Sequence, residues 1–232
     1  MYFYEIHCHT AETSRCGRSF ARDMMAAYHS RGFAGVVVTD HFVNGYSYAA
    51  APESWEAKMD AFMKGYHSAR QAGEAWEMKV YLGLEFTNQG NNGEDYLVLG
   101  LNEEHLRREL AGCDQWAIQR LVDTVHALHG IVIRAHPYRE ADYIAQAGIE
   151  RPGLAIDAVE VFNGGNAREI YNLRAQEMAL REEKPFVAGS DSHHVSTVAT
   201  DYIGFQEDPA DYAALCAAIR QGKASLVHRP QR

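Results

Sequence analysis

Residues 2–9 read YFYEIHCH, and this stretch decides which fold the sequence predicts. An apolar run leads directly into a pair of histidines, as in a buried strand that ends at a functional site. Side chains alternate across a strand, so His7 and His9 point to one face while Cys8 points to the other. We therefore expect a first strand over residues 2–9 that delivers two imidazoles to one site.

Five further polar clusters repeat this pattern along the chain. They read Thr39-Asp40-His41, Gly83-Leu84-Glu85, Ala135-His136-Pro137, Glu160-Val161-Phe162-Asn163 and Ser190-Asp191-Ser192-His193, with a weaker segment at Asp95. Strand-like segments, one of them expected over residues 79–86, alternate with helical segments, which is typical of βα units and a parallel sheet. A flat doubly wound sheet would feed its site from two or three strands. Because the clusters lie early, in the middle and late in the chain, the sequence predicts closure into a barrel.

The composition is that of an ordinary globular chain. With 232 residues, 26.0 kDa, 47% hydrophobic and 23% charged residues, the chain fits one α/β barrel or two small domains. No low-complexity stretch, repeat or Pro/Ser-rich linker divides it. We expect a single domain over residues 1–232.

Charge, apolar runs and cysteine content limit the partners and the compartment. The formal net charge is −9 and no Lys/Arg run occurs, which argues against long nucleic acids and anionic membrane surfaces as partners. No apolar run approaches the roughly 20 residues that span a bilayer, and residues 1–5 lack the basic start of a signal peptide. The four cysteines show no CxxC spacing, so we expect reduced thiols and a cytoplasmic location.

The polar clusters are dominated by histidines and carboxylates, which indicates a metal centre. The candidate ligands are His7, His9, His41, Glu85, His136, Asp191 and His193. Imidazoles mixed with carboxylates suit Zn²⁺, Mn²⁺ or Fe²⁺, whereas structural zinc sites are rich in cysteine. More than four candidates imply more than one ion, and a carboxylate such as Glu85 can bridge two ions.

In their order, the clusters resemble the motifs of the PHP (polymerase and histidinol phosphatase) superfamily over residues 2 to about 205. The matching segments are Glu5-Ile6-His7-Cys8-His9-Thr10, Thr39-Asp40-His41, Gly83-Leu84-Glu85, Ala135-His136-Pro137, Glu160-Val161-Phe162-Asn163 and Gly189-Ser190-Asp191-Ser192-His193. The resemblance implies a distorted (β/α)7 TIM-like barrel with two to three divalent metal ions (Zn, Mn or Fe) at the C-terminal face of its strands. It also implies one metal on His7, His9, Glu85 and Asp191, a second on Glu85 and His136, and a third on His41 and His193.

Three positions depart from the superfamily pattern. Leu97 stands where a histidine ligand is often found, so either Asp95 substitutes from the neighbouring turn or the second metal is weak or absent. The acidic or histidine ligand that usually follows the His-x-His pair is shifted. Glu12 is our candidate for that ligand, and Cys16 is the alternative. Glu5 replaces the usual aspartate of the first motif.

The chemistry expected of such a centre is phosphoester hydrolysis. Bound metal ions lower the pKa of water, which gives a metal-bound hydroxide as nucleophile, and they neutralise phosphate oxygens. His193 or His41 would then help to protonate the leaving alkoxide. The expected substrate is a small phosphorylated metabolite or nucleotide.

Several polar side chains near the clusters are candidates for binding a phosphate group, because a guanidinium fork matches its oxygens. In order of preference they are Arg139, Arg15 and Arg18, with Asn163 at a strand end beside the site. Arg134 lies on the same strand face as His136, one layer deeper. We expect it to pair with Glu5 and to support the ligands from below.

Two other functions are compatible with the same ligands. An amidohydrolase-like enzyme would cleave C–N bonds with similar metal chemistry, although no lysine occurs at a predicted strand end as a carbamylated bridge. A non-catalytic, metal-binding regulatory barrel is the other alternative, and the full run of ligands argues against it.

Overall fold

The computed structural model describes residues 1–88, 94–142, 144 and 146–229. In these ranges the strands are β1 (Tyr2–Glu5), β2 (Phe33–Val38), β3 (Lys79–Leu82), β4 (Leu84–Asn88), β5 (Glu94–Leu99), β6 (Ile131–Arg134), β7 (Ala158–Asn163), β8 (Phe186–Gly189), β9 (Asp201–Phe205) and β10 (Ser225–His228). The α-helices are α1 (Ala21–His29), α2 (Trp55–Glu74), α3 (Glu103–Arg108), α4 (Ile118–Ala127), α5 (Glu169–Arg181) and α6 (Tyr212–Arg220).

The described strands form two mixed sheets of five strands each, so the predicted (β/α)7 TIM-like barrel is wrong. One sheet has the order β10-β9-β1-β2-β3 and the other has the order β4-β5-β6-β7-β8. Pairing is parallel within β1-β2-β3 and within β6-β7-β8. It is antiparallel between β9 and β1, β9 and β10, β4 and β5, and β5 and β6. Over the described residues these strands do not close into a ring.

A break at Gly83 explains much of the difference between a barrel and two sheets. The strand expected over residues 79–86 is interrupted there, with β3 ending in one sheet and β4 beginning in the other. A Cβ atom at Gly83 would lie 2.7 Å from Val37 Cγ1 and 2.8 Å from Thr39 Cγ2, well inside normal carbon contact. Glycine therefore lets the backbone pass close to β2 at the point where the chain changes sheets.

The polar clusters lie where the ends of the two sheets meet. Cys8 and Ser192 form an isolated parallel bridge beyond β1 and β8, and His41 forms another with Glu85 of β4. The backbone N–H of Glu85 donates to the carbonyl of Asp40 at 3.0 Å, which reinforces the second bridge. Segments far apart in sequence are thus placed side by side.

Apolar side chains of both sheets share one interior cluster. Its members include Tyr4, Val37, Leu97, Ile133, Ala158, Val187 and Ile203. Leu97, the position that departs from the superfamily pattern, is completely buried in this cluster. Burial of such a side chain contributes about 1.5–3 kcal/mol, so position 97 serves the core.

The helices pack through one apolar face. On α4 the buried positions are Ile118, Leu121, Val122 and Val125. Their spacing of three and four residues places them on one side of the helix. Helix α2, with 20 residues, begins after Ser54, whose hydroxyl accepts a hydrogen bond from the Ala57 N–H as an N-terminal cap. Within the described ranges, no helix combines the length and the apolar character needed to cross a bilayer.

Candidate metal centre

Four buried side chains from the two sheets meet at the centre, and none is more than 5% exposed: His7, His9, Glu85 and Asp191. His7 Nε2 lies 3.4 Å from Glu85 Oε1 and 3.4 Å from Asp191 Oδ1. His9 Nε2 lies 3.4 Å from Glu85 Oε2 and 3.2 Å from Asp191 Oδ1. Two imidazoles and two carboxylates thus face one another across a small space.

Several atoms that face this space lack hydrogen-bond partners. Among the described residues, His7 Nε2 and His9 Nε2 have none, and His41 Nδ1 and Glu85 Oε2 lie 2.8 Å apart without forming a hydrogen bond. A buried polar atom without a partner costs about 1–3 kcal/mol, so such atoms gathered in one place call for a ligand. Imidazole nitrogens and carboxylate oxygens are the donors that Zn²⁺, Mn²⁺ and Fe²⁺ take. The residues present therefore fit divalent metal ions.

A second group of possible ligands consists of Glu85, Asp95 and His136. His136 Nε2 lies 3.0 Å from Glu85 Oε1 and 3.9 Å from Asp95 Oδ2. Asp95 in β5 pairs with Thr87 in β4, whose hydroxyl donates to Asp95 Oδ1 at 2.6 Å. The structure thus brings Asp95 to this group, whereas Leu97 lies in the core.

A third group consists of His9, His41 and His193, which each place one ring nitrogen within 4.8 Å of the other two. The ring centroid of His9 lies 4.3 Å from that of His193 and 4.5 Å from that of His41. The side chain of His193 is 29% exposed, whereas that of His9 is completely buried. This group is therefore the part of the centre that is most open to solvent.

The two candidates for a further ligand to the third group lie in different places. The Glu12 carboxylate accepts the Ala21 N–H at the start of α1, at 3.0 and 3.1 Å, and the structure does not bring it to the histidines. Cys16 lies in the loop after β1, between residues that are bonded to Tyr46 and to His193. Burial raises the pKa of its thiol, but the side chains of His193 and His41 outweigh burial and bring the pKa down to about 7.

One carboxylate, Glu160 of β7, supports two candidate ligands. His7 Nδ1 lies 2.8 Å from Glu160 Oε1. Glu160 Oε2 accepts the backbone N–H of His136 at 3.0 Å and the Asn163 side-chain amide at 2.8 Å. A carboxylate behind a histidine fixes its ring orientation and leaves the other nitrogen available to a metal. Glu160 therefore holds His7 and His136 in place from behind.

The predicted pairing of Arg134 with Glu5 is wrong. Arg134 Nη1 donates to Glu94 Oε1 at 2.6 Å, because β6 pairs with β5 and sets Arg134 opposite Tyr96. Glu5 lies in the other sheet. Its carboxylate accepts instead from the N–H groups of Ile6, His7 and Ser190 and from the Tyr28 hydroxyl. The Glu5 carboxylate therefore stabilises the ends of β1 and β8, and Arg134 takes no part in this.

Two polar residues that sequence reasoning did not select, Ser14 and Asp40, hold the loops of the third group. The Ser14 hydroxyl donates to Asp40 Oδ1 at 2.6 Å, accepts the His41 N–H at 3.1 Å and lies 3.3 Å from His9 Nδ1. Asp40 also accepts the Thr10 N–H at 2.7 Å. Asp40 was visible only as the neighbour of a histidine, and Ser14 carried no signal in the sequence.

Charge in the centre is arranged so that the carboxylates of Asp191 and Glu85 are ionised. Burial alone would raise the pKa of Asp191, but His7 and Arg139 hold it well below its usual range. Burial acts in the same direction on Glu85, and His41 and His7 likewise lower its pKa well below the usual range. Both carboxylates are therefore negative at neutral pH and suited to bind a cation.

Two candidate ligands have strained backbone conformations. His136 has φ +25° and Asp191 has φ +49°, in the left-handed region that favours glycine. Each such residue costs on the order of 1–3 kcal/mol, and the strain persists only where the surroundings enforce it. The strain lies just past β6 and β8, where the chain turns these side chains toward the centre.

Arg139 and Asn163 reach the centre together. Arg139 Nη2 donates to Asp191 Oδ2 at 2.6 Å and to Asn163 Oδ1 at 2.5 Å. Asn163 in turn donates to Glu160. The structure thus joins these two predicted substrate-binding residues to the candidate ligand Asp191 and to Glu160, the carboxylate that supports His7 and His136.

Arg15 and Arg18 lie farther out, with exposed side chains. The Arg15 Nε–H donates to the Ser47 carbonyl at 3.2 Å, and its guanidinium lies 5.4 Å from the centre of the Tyr48 ring. The Arg18 backbone N–H donates to the carbonyl of His193 at 2.7 Å. The structure places both arginines on the rim beside the third group.

Known proteins resemble this chain in a C-terminal segment and in the fold. The family model described as PHP-associated matches residues 169–224, a segment that contains Asp191 and His193. A two-domain protein from Bacteroides vulgatus, which contains a predicted PHP-like metal-dependent phosphoesterase, shares 13% identity and a TM-score of 0.72. The match covers 98% of this chain and 65% of that one, so this chain spans about two thirds of its length.

Two further solved structures are similar. A proposed metal-dependent phosphoesterase from Bifidobacterium adolescentis shares 15% identity with a TM-score of 0.60, covering 94% of this chain and 96% of that one. An amidohydrolase from Chromobacterium violaceum, with bound sulfate and no metal, shares 14% identity with a TM-score of 0.56, covering 82% and 87%. At such identities the likeness shows the fold alone. No curated protein matches the chain. Together with the PHP-associated segment, the shared fold confirms the resemblance to the PHP superfamily.

Proposed function

The chain resembles the PHP superfamily in its motifs, its fold and its PHP-associated segment, and from this premise we propose that it is a metal-dependent phosphoesterase. We propose further that it hydrolyses a small phosphorylated metabolite or nucleotide. The observation that carries the proposal is the convergence of His7 Nε2, His9 Nε2 and Glu85 Oε2, all buried and without hydrogen-bond partners in the described chain. Such a set suits divalent ions and, with Arg139 beside it, a phosphate group.

We propose two to three divalent ions, Zn, Mn or Fe, held by three overlapping groups. The first group is His7, His9, Glu85 and Asp191, and the second is Glu85, Asp95 and His136. The third is His41 and His193 beside His9, whose single Nε2 lone pair serves one ion only. When bound, such ions supply an activated water nucleophile and neutralise phosphate oxygens. Because the ligands come from both sheets, we propose that residues 1–232 act as one domain. A cytoplasmic location stays a prediction.

The chain's own residues would bind the phosphate group and move a proton. Arg139 presents its guanidinium beside Asp191, and its planar fork matches two phosphate oxygens. Asn163 holds that guanidinium and keeps it aimed at the centre. His193 is the most exposed imidazole of the third group. With His41 it is the candidate to protonate the leaving alkoxide when the third ion is not bound, because a nitrogen that ligates a metal carries no proton.

Hydrolysis of a C–N bond is the second candidate function, because one protein of similar fold is named an amidohydrolase. The same set of donor atoms would serve that reaction, since a metal activates water for attack on a carbon centre as well as on phosphorus. The guanidinium of Arg139 favours the phosphoesterase, because a cationic group beside the centre suits an anionic substrate.

Removing the metal is expected to abolish phosphate release. The purified chain would be analysed by elemental mass spectrometry and assayed on small phosphomonoesters and nucleotides, before and after chelation and after adding back Mn²⁺ or Zn²⁺. We expect two to three metals per chain and a loss of at least about 10²-fold in rate after chelation, reversed by metal. Amide turnover without phosphate release would favour the C–N hydrolase. A chain that binds no metal after reconstitution would refute the proposal.

Asp95→Asn is expected to remove one metal from the second group. The asparagine keeps the shape of the side chain but removes the charge that faces His136, so affinity for that ion should fall at least about tenfold. The metal content at limiting free metal would be compared with that of Asp123→Asn, an exposed position on α4. Equal metal content in the two variants would show that Asp95 does not replace the histidine ligand that is often found at the position of Leu97.

A further inference from the structure

Two exposed tyrosines, Tyr46 and Tyr48, stand beside the third group of the centre. Tyr46 is 42% exposed and Tyr48 is 48% exposed. The ring centroid of Tyr46 lies 5.4 Å from that of His41, and the two ring planes are inclined by 39°. A single exposed aromatic residue is ordinary on a protein surface, but an aromatic face next to a candidate ligand is a surface on which a bound molecule can pack.

The segment that carries the two tyrosines is held in place by polar groups. The side chain of Asn44, which is buried, accepts the Tyr46 N–H at 2.9 Å and donates to the Thr87 hydroxyl at 2.7 Å. The Tyr48 N–H donates to the carbonyl of Thr13 at 2.9 Å. The tyrosines are thus exposed on an ordered backbone, so a ring that packs against them pays little for ordering the segment.

The open side of the centre determines where the organic part of a substrate lies. Candidate ligands of the first two groups are buried, whereas the side chains of His41 and His193 are 13% and 29% exposed. A phosphate group bound beside Arg139 therefore leaves its organic part on the side of these two histidines. Tyr46 lies on that side, next to His41.

Arg15 adds a second flat surface to this side. Its guanidinium lies 5.4 Å from the centre of the Tyr48 ring, and its Nε–H donates to the Ser47 carbonyl at 3.2 Å. Guanidinium planes and phenol rings both stack on aromatic rings, whereas they offer a sugar or an aliphatic chain no such contact. The features beside the third group are therefore those that hold a flat ring.

We propose that Tyr46 determines specificity by stacking on a planar aromatic ring in the leaving group of the substrate. The inference rests on the proposed phosphoesterase function and narrows its substrate to aromatic phosphate esters. The ring is a nucleobase or an aryl group, because both present the same kind of face. Stacking tolerates any base, so Tyr46 selects for the presence of a ring and not for one particular base.

The kinetic test uses the full metal-loaded chain and two pairs of esters that differ mainly in the ring. Adenosine 5′-monophosphate is compared with ribose 5-phosphate, and phenyl phosphate with glycerol 3-phosphate. We expect Tyr46→Leu to raise KM at least about tenfold for the ring-bearing ester and to leave KM for its ring-free partner unchanged. The pair that shows the effect identifies the ring as a nucleobase or an aryl group.

Two further variants separate stacking from other effects. Tyr46→Phe keeps an aromatic ring and should retain the KM of the unmodified chain for every ester. Tyr2→Leu removes an exposed tyrosine at the start of β1 and is the matched control. An equal change in KM for ring-bearing and ring-free esters in Tyr46→Leu would overturn the inference and leave the phosphoesterase proposal standing.

Binding of the released ring gives a readout that needs no turnover. Adenosine and phenol would be added to the full chain as purified, and saturation-transfer NMR would record contact with their ring protons. We expect a signal in the unmodified chain and in Tyr46→Phe, and its loss in Tyr46→Leu. A signal that persists in Tyr46→Leu would overturn the inference. If no ester released phosphate, the phosphoesterase proposal would fail, and the proposed substrate class would fail with it even if Tyr46 bound a ring.

Discussion

Glu85→Gln is expected to lower phosphate release by about 10³-fold and to leave the centre with less than one metal per chain. One Glu85 oxygen lies 2.8 Å from His41 Nδ1 and the other lies 3.0 Å from His136 Nε2, so this carboxylate contacts all three groups of ligands. Glutamine keeps the size of the side chain but removes the negative charge that would offset the charge of the ions. Several kcal/mol of transition-state stabilisation depend on those ions, which corresponds to about 10³-fold in rate.

The matched control for this substitution is Glu104→Gln. Glu104 is an exposed residue of α3 that pairs with Arg108 at the surface. Metal content and phosphate release would be measured on both variants at the same free metal concentration, with circular dichroism to verify folding. A folded Glu85→Gln protein that keeps two or more metals and full activity would contradict the bridging role. If both variants lost metal and phosphate release, the cause would be a general effect of removing one negative charge.

The candidate ligands could be predicted because their signals are local. Alternation along a strand places His7 and His9 on one face, and the same spacing applies to Asp191 and His193. A polar residue at the end of an apolar strand points to a site whichever sheet contains the strand. These arguments need no knowledge of which strands pair, so they predicted residues that the structure brings together.

The arrangement of the sheets could not be predicted because it depends on long-range pairing. Nothing near Gly83 in the sequence shows that the strand breaks there, since the cause is its approach to Val37 and Thr39. The expected pairing of Arg134 with Glu5 had the same weakness. It assumed that the two strands face each other in one barrel, whereas Arg134 lies opposite Tyr96 in one sheet and Glu5 lies in the other.

The loop after β1 was the least predictable part of the site. Glu12 and Cys16 were both candidates, and spacing along the chain could not choose between them. Contacts with distant segments place the two side chains: the Glu12 carboxylate accepts the Ala21 N–H at the start of α1, whereas backbone bonds to Tyr46 and His193 fix the loop around Cys16. Irregular loops have no periodicity, so their side chains can be placed only when the partners are known.

Glu160→Gln is expected to weaken metal binding by 10–100-fold, roughly the range for loss of a carboxylate behind a ligating histidine. With Nε2 of His7 available to a metal, its Nδ1 carries the proton and donates to Glu160 Oε1. Glu160 Oε2 accepts two further donors, the His136 N–H and the Asn163 amide. A glutamine has one acceptor oxygen, so its –NH₂ group must face a donor on one of the two sides. Leaving that donor unpaired should also cost about 1–3 kcal/mol of metal-free stability.

The two effects of Glu160→Gln separate a supporting role from a purely structural one. Zinc affinity would be measured by competition with a chelator, and stability by urea unfolding of the metal-free protein. Glu150→Gln, an exposed glutamate that pairs with Arg181, is the control and should change neither quantity. A loss of stability with unchanged zinc affinity would show that Glu160 merely joins strands. We expect zinc binding to weaken by more than the loss of stability explains if the Glu160 carboxylate sets the orientation of His7. A wrongly oriented His7 ring lowers zinc affinity even in a folded chain.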